Sequence, residues 1–139
     1  MDIDILAKAL ENDSNLDIIN TNIQEIKSKK NDILQQIGLN RDKLKDYHKK
    51  LINYRYVDSI KDLKYGETIR WINLNRLDKI KITNGSILCD IKITDKGIAL
   101  VLKTHINTFI TLYLNENLLF QYISNEERAI LNAIKCLSK

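Results

Sequence analysis

Hydrophobic residues in the first part of the chain recur with the seven-residue period of a coiled coil. With Leu16 at heptad position a, ten of the twelve a and d positions between residues 16 and 54 are apolar or aromatic. The pattern predicts one helix of about 58 Å, whose apolar stripe needs a partner. The twelve predicted oligomerisation residues are Leu16, Ile19, Ile23, Ile26, Lys30, Ile33, Ile37, Asn40, Leu44, Tyr47, Leu51 and Tyr54.

The a and d residues, which form the seam between the helices of a coiled coil, also indicate how many copies assemble. Isoleucine occupies d in three successive heptads, at Ile19, Ile26 and Ile33, and isoleucine at d favours coiled coils of more than two helices. Lys30 and Asn40 interrupt the seam and would fix its register. We therefore expect self-association as a homotrimer first and a dimer second, with pairing to another protein's acidic helix as an alternative.

Gly38 offers a different topology for the same segment. In "QQIGLNRDKL" one helix could end at Gly38 and another could begin with Asn40 as its N-cap. The heptad phase continues through residues 37–44 without a skip, which favours the continuous helix. A separate short helix is predicted over residues 2–11, so residues 1–55 form the predicted helical oligomerisation region.

From Gly66 onward the period changes to that of strands. Short turns rich in Asn, Asp and Gly predict consecutive antiparallel hairpins. A capping box at Ser124 and Glu127 predicts a terminal helix over 125–137. Residues 56–139 are thus expected to form a small antiparallel SH3-like β-barrel or twisted sheet, and the fold class is α+β. The predicted strands are 67–74, 79–82, 86–94, 98–103, 108–114 and 118–123.

Three segments of this half, "KYGETIRWINL", "KITNGSI" and "NLLFQYISNEERAIL", carry a resemblance. They are similar to small uncharacterised proteins of large nucleocytoplasmic (giant) DNA viruses. In those proteins a strand with an "IRW" core precedes a Gly-containing hairpin and a terminal helix. The resemblance covers residues 56–137 and implies a viral source and a fold rather than an activity.

The net charge of +4 is mild, but residues 41–64 hold eight Lys or Arg against four Asp. This bias predicts a surface for nucleic acid or an acidic partner. The aromatic residues Tyr47, Tyr54 and Trp71 are better explained as core than as platforms for bases. The predicted contact residues are Arg41, Lys43, Lys50, Arg55, Arg70, Lys79, Lys81 and Lys92.

The side chains that support catalysis are scattered. His48 lies on the predicted coil and His105 in a predicted hairpin loop, and neither Cys89 nor Cys136 has a recognisable nucleophile context or metal-ligand spacing. We expect both cysteines to be reduced and buried. No enzyme activity, cofactor or metal is expected. The absence of a long apolar run or a secretion signal predicts a cytoplasmic protein without a membrane partner, located in an infected cell or virion if the source is viral.

Together these patterns predict a non-enzymatic structural or scaffolding protein. Its coiled coil would assemble several copies, and its small β domains would bind through avidity. The alternative is a nucleic-acid-binding protein that uses the basic edge of the coil and one face of the β domain.

Overall fold

The computed structural model describes residues 3–12, 21–75 and 80–137. Within these ranges four α-helices and six β-strands form two compact units. The helical unit comprises Met1–Gly38 and Ile123–Lys139, and the sheet unit comprises Leu39–Tyr122. The elements are α1 (Ile3–Glu11), α2 (Ile23–Gln36), α3 (Arg41–Lys50), β1 (Tyr54–Val57), β2 (Thr68–Asn73), β3 (Ser86–Thr94), β4 (Gly97–Lys103), β5 (Phe109–Tyr113), β6 (Asn117–Tyr122) and α4 (Asn125–Leu137).

The predicted continuous helix over residues 16–54 is wrong. Gly38 has a φ of +76°, a conformation that glycine adopts without steric cost, and it lies between α2 and α3. Asn40 begins α3 because its side chain accepts a hydrogen bond of 2.9 Å from the Lys43 N–H. The alternative break at Gly38 is therefore the correct one, and no described helix is longer than 14 residues.

Part of the predicted seam is buried by residues of the same chain. In the helical unit Ile26 joins a cluster with Ala9, Ile123 and Ile130. In the sheet unit Tyr47 and Leu51 are buried, while Tyr54 lies in β1. At Ile26, Tyr47 and Leu51 the stripe is therefore covered within the chain itself. Of the remaining predicted seam residues, Lys30 is buried; Ile23, Ile33, Ile37 and Leu44 are half-buried; Asn40 is exposed; and Leu16 and Ile19 lie outside the described residues.

The six strands form one open sheet in the order β1-β6-β2-β3-β4-β5, with neighbouring strands antiparallel. The last strand in sequence lies between the first two, so the strands are not a simple succession of hairpins. Because β1 and β5 are edges, the predicted SH3-like barrel is also wrong. Where a strand was predicted over 79–82, the described residues contain only an isolated bridge between Ile72 and Ile82.

Most element positions in the second half are confirmed. β3 spans Ser86–Thr94 as predicted, and the other predicted strands apart from 79–82 agree with the structure to within one residue at each end. β1 was not predicted as a strand. The capping box of α4 is present: the Ser124 N–H donates to Glu127 Oε1, and the Glu127 N–H donates to Ser124 Oγ, each at 3.1 Å. By its contacts α4 belongs to the helical unit, whereas the sequence grouped it with the β domain.

One face of the sheet carries the core of the sheet unit. Trp71 is half-buried against this cluster, as expected of a core residue. Gln121 secures the segment after β1, because its side chain accepts from the Lys64 N–H at 2.7 Å and donates to the Asp62 carbonyl at 3.3 Å. The buried cluster consists of Val57, Leu63, Ile69, Leu88, Leu100, Leu102 and Leu119.

Candidate nucleic-acid interface

The two units carry opposite formal charges. Residues 39–122 contain fifteen Lys or Arg and nine Asp or Glu, so the sheet unit has a formal charge of +6. The rest of the chain contains seven and nine, respectively, for a charge of −2. A cationic surface attracts phosphates, so the sheet unit meets the electrostatic requirement for a nucleic-acid site better than the helical unit does.

Helix α3 presents most of its charged side chains to solvent. Its apolar side is fixed in the sheet unit, where Tyr47 is buried and its hydroxyl donates to the Ile80 carbonyl at 3.0 Å. Arg41, Lys45 and Lys49 are exposed and follow one another at four-residue spacing. Residues four apart lie on one side of a helix, about 6 Å apart along its axis, so these three side chains form a cationic row.

Arg70 on β2 joins the end of α3 to the sheet. Its Nη1 donates to the Lys50 carbonyl at 3.0 Å, and its Nε donates to the Thr83 carbonyl at 2.7 Å. The last carbonyls of a helix lack partners within the helix and carry partial negative charge, so a guanidinium is well suited to this position. Arg70 is consequently held in one orientation while remaining partly exposed.

Two tyrosines lie beside Arg70. Its guanidinium carbon is 5.8 Å from the centre of the Tyr54 ring, and the Tyr122 ring meets Tyr54 edge to face at 5.5 Å. Burial raises the pKa of Tyr54 above its ordinary value of 10.0, Arg70 opposes this rise, and Tyr122 reinforces it. The Tyr54 hydroxyl is therefore protonated at neutral pH, and the site combines a cation with neutral aromatic rings.

Lys50 extends the cationic surface next to Arg70. Its Nζ lies 5.8 Å from the centre of the Tyr47 ring and 3.0 Å from Asp46 Oδ2. The Lys50 and Asp46 side chains are 45% and 51% exposed, respectively, so solvent weakens this ion pair. A phosphate could therefore compete with Asp46 for Lys50 at little free-energy cost.

Four predicted contact residues lie on α3 or bond to its last residue, but Lys43 and Lys50 lie on the opposite flank of the helix from the cationic row. Arg41, Lys43 and Lys50 are all exposed on α3, and Arg70 touches the carbonyl of Lys50. The sequence reasoning missed Lys45 and Lys49. Their spacing from Arg41 would have identified them once α3 was treated as a separate helix with Tyr47 and Leu51 on its buried side.

Other predicted contact residues lie elsewhere. Arg55 is 7% exposed and donates to the Asp62 carbonyl at 2.8 Å, so it serves the core of the sheet unit. Lys92 is exposed on the sheet face that also carries Arg70, according to the strand registers. Lys81 is exposed as well, and Lys79 lies outside the described residues.

Other kinds of site receive no support from the described ranges. They contain no group of three or more His, Cys, Asp or Glu side chains arranged to hold a metal ion. Cys89 and Cys136 are exposed, contrary to the expectation of buried cysteines. No helix in the described part of the chain has the length and apolar character needed to cross a bilayer.

Comparison with known proteins identifies no relative: no family model, curated protein or solved structure matches the chain. The resemblance to giant-virus proteins stays a prediction.

Proposed function

We propose that the sheet unit binds nucleic acid without catalysis, through the surface formed by α3, Arg70 and the neighbouring tyrosines. The observation that carries this proposal is the position of Arg70, which bonds to the end of the basic helix and lies over Tyr54. Phosphate-binding and base-stacking groups are thereby adjacent on the unit that holds the positive charge.

The cationic row supplies most of the affinity in this proposal. Each Lys or Arg that neutralises a phosphate releases condensed counterions, and this release favours binding without reading the base sequence. Arg41, Lys45 and Lys49 are exposed and make no ion pair among the described residues, so binding to phosphate displaces no internal partner. An intracellular location, where nucleic acid is found, belongs to the same proposal.

Tyr122 favours a single strand over a duplex. It is 37% exposed, which leaves part of its ring accessible. A base in a single strand can stack on such a ring, whereas a base in a duplex is already stacked on its neighbours. We therefore expect tighter binding to single-stranded than to duplex oligonucleotides of the same length.

The test measures the affinity of the full chain for fluorescent oligonucleotides by anisotropy over a series of salt concentrations. The triple variant Arg41→Gln, Lys45→Gln and Lys49→Gln should bind more weakly. The slope of log affinity against log salt should also become shallower, by about 0.7 for each single-strand phosphate that the variant no longer neutralises and by about 0.9 for each duplex phosphate.

A matched triple variant controls for net charge. Lys29, Lys61 and Lys96 are also exposed, and their replacement by Gln removes the same charge from other surfaces. This control should retain the wild-type salt slope. The proposal fails if the wild type does not bind at low salt, or if both triple variants lose affinity equally.

A further inference from the structure

The edge strand β5 lacks the features that usually keep sheet edges apart. It pairs with β4 on one side and forms an edge of the sheet. No charged residue and no proline occurs between Ile106 and Asn115, and Phe109 is 64% exposed. Natural proteins commonly protect an edge with charge, proline or a bulge, because an open edge offers unpaired N–H and C=O groups to another strand. β1, the other edge, is only four residues long and includes Arg55.

The hairpin before β5 determines which backbone groups face outward. The Thr104 N–H donates to the Thr108 carbonyl at 2.8 Å, so hydrogen-bonded pairs with β4 recur at every second residue from Thr108. Ile110 and Leu112 therefore bond to β4, and the backbone groups of Phe109, Thr111 and Tyr113 point away from it. The Tyr113 carbonyl already accepts from Asn117 Nδ2 at 3.0 Å, but a carbonyl oxygen has a second lone pair.

The outward edge of β5 is complementary to itself. If two β5 strands pair antiparallel about Thr111, each Thr111 faces its equivalent, and each Phe109 faces the second copy's Tyr113. These positions are the ones whose backbone groups point outward, so they can exchange main-chain hydrogen bonds. Thr-Thr and aromatic pairs are favourable across strands, whereas a charge at the two-fold position would face its own like charge. β5 contains no charged residue.

The same register keeps apolar side chains on one face. Ile110 and Leu112 lie on the core side of the sheet, where they pack against its buried cluster. In the paired strands Ile110 would face the second copy's Leu112, so the core side continues from one sheet into the next.

We propose that β5 is the interface for a second copy of this chain, which pairs antiparallel with it about a two-fold axis at Thr111. The two open sheets become one continuous sheet, and each copy loses one unprotected edge. This dimer does not depend on the proposed nucleic-acid binding, because it uses main-chain groups and uncharged side chains of β5.

Sedimentation equilibrium tests the proposal through Thr111→Lys. The wild type should have twice the chain mass of 16.2 kDa. The Thr111→Lys variant should have the mass of one chain, because two ammonium groups would meet at the axis. Ile93→Lys adds the same charge on an interior strand, at a side chain that is 85% exposed, and should remain a dimer. A monomeric wild type, or a Thr111→Lys variant with unchanged mass, overturns the proposal.

Mixing charge variants separates loss of the interface from loss of the fold. Thr111→Glu should also be monomeric, and an equimolar mixture with Thr111→Lys should regain the dimer mass because opposite charges then face each other. Failure of the mixture to associate counts against the two-fold register.

Amide exchange in the wild type gives a test without substitution. The amides of Phe109 and Thr111 should exchange more slowly as the protein concentration rises. The Leu112 amide, bonded to β4, should be protected at every concentration. Exchange at Phe109 and Thr111 that is independent of concentration across the range of assembly contradicts the pairing.

Discussion

The helical unit and the sheet unit contain nine acidic side chains each, but they contain seven and fifteen basic ones, respectively. Their difference in charge therefore comes entirely from Lys and Arg. In the sheet unit many of these side chains reach solvent, and three form a row on α3. In the helical unit the acidic side chains outnumber the basic ones, and one basic side chain, Lys30, is buried. The net charge of +4 is the sum over both units and is therefore smaller than the positive charge of the sheet unit alone.

Buried polar groups, in contrast, have the same purpose in both units. Glu127 caps α4 in the helical unit, and Gln121 holds the segment after β1 in the sheet unit. Both side chains are fully buried. Hydrogen-bonded groups of this kind stabilise a particular backbone arrangement, whereas the exposed charges are available to a ligand.

The largest predicted effect comes from the buried side chain of Phe120, which lies on the sheet face opposite the core cluster because its neighbour in β6, Leu119, belongs to that cluster. Phe120 is fully buried and lies with its ring centre 5.8 Å from that of Tyr56. Phe120→Ala should lower the free energy of unfolding by about 3–5 kcal/mol, because it removes buried apolar surface and leaves a cavity. Urea denaturation measures the change. Ile93→Ala, at an exposed position, should change it by no more than about 0.5 kcal/mol, and equal losses in the two variants would contradict the burial of Phe120.

The next prediction tests whether Arg70 connects α3 to the sheet. Arg70→Gln removes hydrogen bonds from a charged donor to two carbonyls and should lower the free energy of unfolding by about 1–3 kcal/mol. Arg70→Lys should not restore it, since an ammonium lacks the planar fork of a guanidinium. Denaturation and oligonucleotide affinity are measured on both variants. Wild-type values for Arg70→Lys would contradict this role.

A smaller effect is expected from the helical unit. Ser124→Ala removes one half of the capping box and should lower stability by about 0.5–2 kcal/mol. Nucleic-acid affinity should be unchanged at temperatures where the variant is folded, because Ser124 belongs to the unit without the cationic row. Thermal denaturation and anisotropy measure the two quantities. A parallel loss of affinity would contradict the separation of functions between the units.

The smallest effect is a dependence of the free energy of unfolding on pH, for which we predict the direction. Burial, followed by the nearby charge of Lys27, lowers the pKa of Lys30 from its ordinary value of 10.5. Between that lowered value and 10.5 the unfolded chain binds more protons than the folded chain, so stability contributed by this site rises with pH. The free energy of unfolding of the wild type should therefore increase relative to Lys30→Met across this window. Urea denaturation at several pH values across this window measures the two free energies, and a difference that stays constant with pH would contradict the lowered pKa of Lys30.

Local signals in the sequence were sufficient to predict much of the second half. The capping box at Ser124 and Glu127 positioned α4, and the alternation of side chains positioned β3. These signals work because each depends on residues that are close in sequence. The break after α2 was harder to predict, because Gly38 interrupts the helix without disturbing the seven-residue phase of the apolar positions.

Long-range features could not be predicted in the same way. The insertion of β6 between β1 and β2 depends on pairing between distant segments, as in Arg55 with Gln121. The hydrogen bond of Arg70 to the Lys50 carbonyl joins residues twenty positions apart. Four of the basic residues that make up the candidate surface, Arg41, Lys43, Lys50 and Arg70, could be named from the sequence, but its connection to the sheet required the fold.

Nuclear magnetic resonance of the full-length chain during titration with a single-stranded oligonucleotide tests the central claim most directly. We predict that amide shifts at low salt concentrate in residues 41–50 and around Arg70. The amides of α1, α2 and α4 should remain unchanged. Shifts centred on those three helices, or no shifts in α3, would contradict the account.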